Sequence, residues 1–542
     1  MKKIISFVLA STMTLSFASA AFSDVPESHW AYGEISVCEE NGLFDGYPDG
    51  SFRPSAIITR AEAVTAVSRL YDSFKAPAGW ETDGSAITRE EATFLIMSGL
   101  EFESFDAYML EAFSDRAEIA KEYEECFAKA VSNSIIFGVG NDTLRPKATL
   151  TRAEFAVLLY RAAYGEKILT ERRRIAQEYM LRSTTLLWRT TNDIFYTTQS
   201  NVKPEEAKEN VQFTLYADRI YHGIAYSYAG GSVNAFLDYA IGQDENGVYL
   251  IDGLTWENIS GGSGIGRIGN DCSSSLLQAW AQNGATFTGT TTGYLTEAYG
   301  CLRVGNYTSV DKYEDTGAII TENGLDVIYK AYAALKPADG VVKRANNSGH
   351  CRMITNVDVV YLPDGTIDGE NSMMTMIEQT VGSFKKEATY FDEKLGCDVY
   401  KVGIEQTFSF AAMAKAKYIP ITCKALRNPT PIAKPTITDS ETVFNKDSIL
   451  SGTLTCNWMM DCATLTISDA VGKELQSATA YVSRKNEQYR RFELQEFVTS
   501  NPVLIRGEVD PSKLSAGSYN CKLTVRLITG EKVVVRDFDF EI

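Results

Sequence analysis

The sequence predicts a chain of several domains: an all-α repeat bundle first, an α+β domain in the middle and an all-β sandwich at the end. Three observations point there. A motif series recurs in the first third, a cysteine opens an amphipathic helix upstream of alternating strands, and short alternating strands follow a proline cluster near residue 430. The 542 residues exceed a typical domain several-fold, and the 44% hydrophobic fraction provides cores and excludes wholesale disorder. A net charge of −18 excludes the field that gathers nucleic acid.

Residues 1–20 read as a secretory signal. Lys2 and Lys3 precede an apolar run from Ile4 to Phe17, and Ala18-Ser19-Ala20 supplies the small residues of a cleavage site. No later apolar run of about 18 residues spans a bilayer, so an exported chain without a membrane span is expected. The ten cysteines are spread thinly instead of clustering as in a stapled scaffold. For Cys456, Cys462 and Cys521 a bridge and buried free thiols both stay open, and no disulfide is assigned.

The repeat occupies residues 21–164. Phe22-Ser23-Asp24 leads to Arg53-Pro54 and Thr59-Arg60-Ala61-Glu62, then an apolar-periodic stretch. Phe113-Ser114-Asp115 leads likewise to Arg145-Pro146 and Thr151-Arg152-Ala153-Glu154. The Asp-to-Thr interval is 35 positions in one copy and 36 in the other. The clear copies cover about 22–72 and 113–164; between them Thr88-Arg89-Glu90-Glu91 opens a degenerate third copy without a head. Thr followed three residues later by Glu is a capping box, so each box marks a helix start. Arg60, Arg89 and Arg152 then stand beside unpaired N–H groups and the positive dipole end, a corner that attracts anions. The plain alternative is that each arginine pairs with a neighbouring carboxylate.

On these residues, with FSDVPESHWAYGEI and DGYPDGSFRP, the segment resembles the S-layer homology repeat. That resemblance implies a helical pseudo-trimer whose grooves hold an anionic secondary cell-wall polysaccharide. Arg60, Arg152 and Arg89 would contact the polymer, and Trp30 would support a sugar face.

Residues 165–214 read as a helical linker with a solvated basic face at Arg172-Arg173-Arg174. In residues 215–424, Cys272 starts the helix carrying Leu276, Leu277 and Trp280. Helix-start donors and a histidine partner lower a thiol pKa into a range of roughly 3.5 to 7.5. Of three histidines, His29 belongs to the repeat and His222 lies upstream, which leaves His350 in Ser348-Gly349-His350 as the base. A hairpin at Pro363-Asp364-Gly365 returns a strand bearing Glu378 and Gln379. Either can orient the imidazole, but alternation sends them to opposite faces, so only one serves.

The order of these segments resembles NlpC-type and CHAP-type peptidoglycan hydrolases of papain-like fold. The resemblance implies Cys272 as nucleophile, His350 as base and Glu378 as third member, with Tyr226, Asp271 and Gln379 toward the substrate. Ser274 stands where the NlpC pattern has Gly and Thr380 where the CHAP pattern has Asn, so the branch stays open. The run from Gly264 to Gly269 spells GxGxxG but lacks the strand-turn-helix unit and the later acidic residue of a dinucleotide site. No cofactor is expected, and no metal, since three scattered histidines without a CxxC pair make no usual zinc site.

Residues 425–436 read as a Pro-rich linker and 437–542 as a sandwich, Ig-like in the loose sense, with a hairpin turn at Thr529-Gly530. Together these readings give a secreted wall protein at the S-layer surface, a cysteine peptidase or amidase acting on peptidoglycan. The alternatives are a structural or adhesive surface protein with a non-catalytic papain-like domain, and a thiol acyltransferase.

Overall fold

The computed structural model describes residues 22–71, 74–100, 110–111, 113–139, 143–197, 206, 209–260, 266–289, 291–308, 310–380, 389–440, 452–482, 488–499 and 505–542. The signal segment 1–20 lies outside them, as do Gly264 and Ile265 of the glycine run. The chain is multidomain, with helices and several β-sheets. It forms two compact units, residues 1–168 with 429–431 and residues 169–428 with 432–542.

In the first unit all three capping boxes form, at Thr59–Glu62, Thr88–Glu91 and Thr151–Glu154. They start the helices Arg60–Leu70, Arg89–Met97 and Arg152–Thr185. The head aspartates explain the constant spacing. Asp24 accepts from the N–H groups of Phe52 and Arg53, each at 2.7 Å, and Asp115 accepts from Leu144 at 2.8 Å and Arg145 at 2.7 Å. Each carboxylate thus clamps a turn whose arginine has positive φ, 57° at Arg53 and 50° at Arg145, a strained backbone for a non-glycine residue.

The three copies close on one another. Arg60 pairs with Glu91, Arg89 with Glu154 at 3.1 Å and Arg152 with Glu62 at 2.9 Å, so each arginine meets the capping-box glutamate of the next copy. The backbone repeats the pattern: the N–H groups of Arg60, Arg89 and Arg152 donate to the carbonyls of Ser85, Ala148 and Ala56. The headless middle copy is therefore a full member of the ring. Phe52, Leu95, Phe127, Leu144 and Phe155 are fully buried in its core.

These pairs differ in depth. Arg152 is buried and donates to the carbonyls of Phe52 and Asp45, each at 2.8 Å, besides Glu62. Arg152→Ala is expected to destabilise this unit by about 3 kcal/mol, because it strands buried acceptors and an ion-pair partner. Arg60→Ala is expected to cost about 1 kcal/mol or less, its guanidinium being partly exposed. Calorimetric unfolding of the two variants checks the order.

The second unit overturns two boundaries. Residues 165–214 are not a linker: the helix Arg152–Thr185 runs on, and Leu187–Thr190 is an inner strand of a six-stranded sheet. Nor is Arg172-Arg173-Arg174 a solvated face. Arg172 donates to the carbonyls of Ala425 and Asn428, and Arg173 pairs with buried Asp339 at 2.9 Å. Only Arg174 is exposed, held by Glu171 and Glu178. A periodic pattern marks such a face as polar but not what covers it.

A second six-stranded sheet, antiparallel throughout, is ordered Gly403–Ser409, Met373–Gln379, Ser348–Asp358, Gly340–Ala345, Ile419–Cys423, Cys301–Arg303. The helix Cys272–Ala281 packs on it where Gly340 leaves room, since a Cβ there would stand 3.0 Å from Leu276 and 3.2 Å from Trp280.

The C-terminal strands form a five-stranded and a three-stranded sheet, but they are not a separate domain. They share one continuous core with the middle region. Arg526 pairs with Asp238 and Asp461, both at 2.7 Å, and Ser232 donates to Asp461 at 2.6 Å. All ten cysteines are free thiols, and no described helix is long and apolar enough to cross a membrane.

Candidate active site

The nucleophile candidate is placed by its own helix cap. Asp271 Oδ1 accepts from the Ser274 N–H at 2.8 Å and the Ser274 hydroxyl at 2.6 Å, while Ser274 Oγ accepts from the Asp271 N–H at 2.9 Å. This fixes Cys272 as the first helical residue. Asp271 thus caps the helix and positions Cys272. Ser274 closes the reciprocal box that glycine cannot make.

His350 lies three residues beyond the Asn346-Asn347 turn, whose φ values of 50° and 60° suit a tight hairpin. From that end of the sheet both His350 and Cys351 reach the helix start. The Cys351 thiol donates to the Cys272 carbonyl at 3.1 Å, and the His350 ring lies close enough to the Cys272 thiol for each to shift the other's charge. His350 Nε2 meets Glu378 Oε2. Glu378, only 2% exposed, also accepts from Arg352 Nε at 2.9 Å and Gln406 Nε2 at 2.7 Å.

The electrostatics follow from these contacts. Hydrogen bonding from Cys351, opposed by burial and helped by the facing imidazolium, brings the Cys272 thiol down to about 5. Burial disfavours the charged ring of His350, but the thiolate and Glu378 outweigh it and raise His350 to about 9. Burial also works against ionised Glu378, yet His350 and Arg352 hold it below the usual carboxylate range. Cys351 is pushed well up by burial and remains a thiol donor. Near neutral pH the pair is a thiolate and an imidazolium, the charge state of a thiol nucleophile with a proton donor in place.

Of the other expected residues, Tyr226 lies beside this pair. Its backbone bridges to Asn270, and its buried phenol is raised by burial and the nearby Cys272 and Asp271 charges. Gln379 does not join the site. It is fully buried on the opposite face and donates to the Ser183 carbonyl at 2.8 Å, so its expected substrate contact is corrected to a structural one. His222 belongs to the other six-stranded sheet, against Tyr390. Sequence reasoning missed Cys351, Arg352 and Gln406. The signal for Cys351 was its place next to His350 on a strand that must meet the helix start; Gln406 lies on a strand that nothing in the motif marks.

In the first unit, Arg89 and Arg152 are buried in ion pairs with Glu154 and Glu62, and Arg60 pairs with Asp83 and Glu91. Arg60 keeps 26% of its side chain exposed, over the Trp80 ring at 5.0 Å. Trp30 is 62% exposed and is no core residue.

The matched segments are two of the three copies of this ring. Residues 21–64 and 112–156 match the S-layer homology domain. Outer membrane protein alpha of Thermotoga maritima is 46% identical over 72 residues, 13% of this chain and 18% of that protein. The cellulosome-anchoring protein of Acetivibrio thermocellus is 29% identical over 145 residues, 27% of this chain and 26% of that one. The chain thus spans about a quarter or less of the length of these relatives. The glycoside hydrolase domain of Endo-D from Streptococcus pneumoniae R6 aligns with a TM-score of 0.12 and 8% identity over 35% of this chain and 31% of that one, too slight a likeness to argue from. The chain carries S-layer homology domains and is a cell-surface, S-layer-associated protein.

Proposed function

We propose that this surface protein is a wall-anchored cysteine hydrolase that cleaves amide bonds of peptidoglycan through a papain-like site. The single observation behind this reading is the buried Cys272–His350–Glu378 series with its thiolate and imidazolium. The Cys272 thiolate attacks the amide carbonyl, and N–H groups at the helix start stabilise the oxyanion. His350 gives its proton to the leaving amine, and a thioester remains. Water deprotonated by His350 then releases the acid. Glu378 holds the ring orientation and the imidazolium. The repeat unit holds the chain against an anionic wall polysaccharide, with Arg60 and Trp30 as its exposed contacts, which raises local substrate concentration.

A second reading has its own support. The named relatives are surface and anchoring proteins, and Cys272 is only 6% exposed, which fits a structural anchor whose second unit does not cut. Incubating purified wall with the full chain and weighing the released fragments by mass spectrometry separates the two. New amine and carboxylate ends are expected from the hydrolase; an unchanged wall leaves the anchor alone.

A further inference from the structure

The edge of the sheet that carries His350 brings two cysteines face to face. In the antiparallel pairing of Cys301–Arg303 with Ile419–Cys423, Cys301 stands directly across from Cys423. In no other described strand pairing does cysteine meet cysteine: Cys351 lies across from Val342, and Cys521 from Phe538.

The register also fixes what kind of pair this is. The Val304 N–H donates to the Pro420 carbonyl at 3.2 Å, one step beyond the Arg303–Ile421 pair, which makes Val304–Pro420 a hydrogen-bonded pair. Bonded and unbonded pairs alternate along an antiparallel ladder, so Cys301–Cys423, three steps from it, is an unbonded one. The Cys301 N–H accordingly turns elsewhere and donates to the Thr296 carbonyl at 3.0 Å. In an unbonded pair the Cα atoms stand about 4.5 Å apart with both side chains on one face. That separation lies within the roughly 4.4 to 6.8 Å that a disulfide spans.

Both thiols are fully buried. Burial pushes Cys423 up to about 12 and Cys301 well above the ordinary thiol range, with Cys423 adding to the rise at Cys301. Neither is a nucleophile once the sheet has closed, so a bond between them forms while the edge strand is still open, during folding. That strand is short, three residues at the outer edge of its sheet. The segment before it reaches the turn that carries His350: Thr292 Oγ1 accepts from Arg344 Nη1 at 3.2 Å, and a Cβ at Gly349 would stand 1.8 Å from that oxygen.

We infer that Cys301 and Cys423 are a modification site, closing into a cross-strand disulfide as the exported chain folds and stapling the edge strand to the sheet beside the His350 turn. The oxidant is a disulfide donor. One cysteine thiolate attacks the donor disulfide and expels one donor thiolate; the second attacks the protein sulfur of the mixed disulfide and expels the other. The chain loses two protons and two electrons, and the donor leaves as a dithiol.

The test uses the full chain exported to an oxidising bacterial periplasm, where a dithiol oxidase is the donor. The chain is denatured in iodoacetamide before any reduction, then digested and mapped by mass spectrometry. A peptide pair joined through Cys301 and Cys423 is expected, lighter by two hydrogens than the sum of its thiol forms, with the remaining cysteines alkylated. Dithiothreitol is expected to lower the melting temperature of wild type by about 5 to 10 °C, because the bond closes a long loop. It is expected to leave the melting of a Cys301→Ala, Cys423→Ala chain unmoved. Alkylation of both Cys301 and Cys423, or linkage of either to another cysteine, overturns the site. A joined pair whose reduction leaves wild-type melting unmoved overturns the staple. If the double variant does not fold, the wild-type map and melt decide alone.

Discussion

Cys272→Ser is expected to keep the fold and to lose amide cleavage by a factor of about 10⁴ or more, measured as fragment release from purified wall. The hydroxyl is nearly isosteric with the thiol, and the cap at Asp271 does not involve the substituted atom. What disappears is the acidity. A serine hydroxyl, intrinsically far less acidic than a thiol, is not ionised by these neighbours, whereas the cysteine is brought down to about 5. The wild-type pH profile has a sign that follows from the same pair. Activity rises as pH passes about 5, where the thiolate forms, and falls as pH passes about 9, where His350 loses the proton that the leaving amine needs. Glu378→Gln is expected to narrow this window from the alkaline side, since an amide no longer stabilises the imidazolium. A Cys272→Ser chain that releases fragments at the wild-type rate would end the mechanism.

What the sequence made legible is what local chemistry decides. Capping boxes depend on two residues three apart, so the helix starts at Arg60, Arg89 and Arg152 follow from the letters alone, and the start at Cys272 from the apolar spacing behind it. Strand alternation separated Glu378 from Gln379, and the structure puts only the former with His350. What stayed hidden depends on partners far along the chain. Arg172 and Arg173 carry the signature of a solvated face, yet their acceptors lie some 165 to 255 positions away, at Asp339, Ala425 and Asn428. The ring arginines read as anion sites because a helix start attracts anions; that each also meets the capping-box glutamate of the next copy was not legible from the local motif. The repeat announced three similar helices; that they neutralise one another is a property of their closure.

Removing residues 437–542 is expected to abolish both activity and the cooperative unfolding of the second unit, although the excised segment reads as a spacer behind a proline linker. The reason lies at the approach to Cys272. Gly230 O accepts from Tyr489 Oη at 2.8 Å and from Gln278 Nε2 at 2.8 Å, so one carbonyl ties the Tyr226–Gly231 segment to the nucleophile helix and to the C-terminal strands. Tyr489 holds a positive φ of 69°, and a Cβ at Gly230 would stand 2.4 Å from its hydroxyl. Beside it, Asp238 and buried Asp461 share Arg526. Deleting the strands removes Arg526 from Asp238 and uncovers apolar surface along the shared core. Arg526→Ala alone is expected to cost about 3 to 5 kcal/mol, as for a broken buried pair, against a whole-domain stability of roughly 5 to 15 kcal/mol. Tyr489→Phe, which removes one hydrogen bond, is expected to cost about 1 kcal/mol. Limited proteolysis and thermal melts of the three variants rank them. A truncated chain that still melts cooperatively and cleaves wall would return the β-sheets to the role of a spacer; loss on truncation makes them part of the catalytic unit, holding the loop that borders its nucleophile.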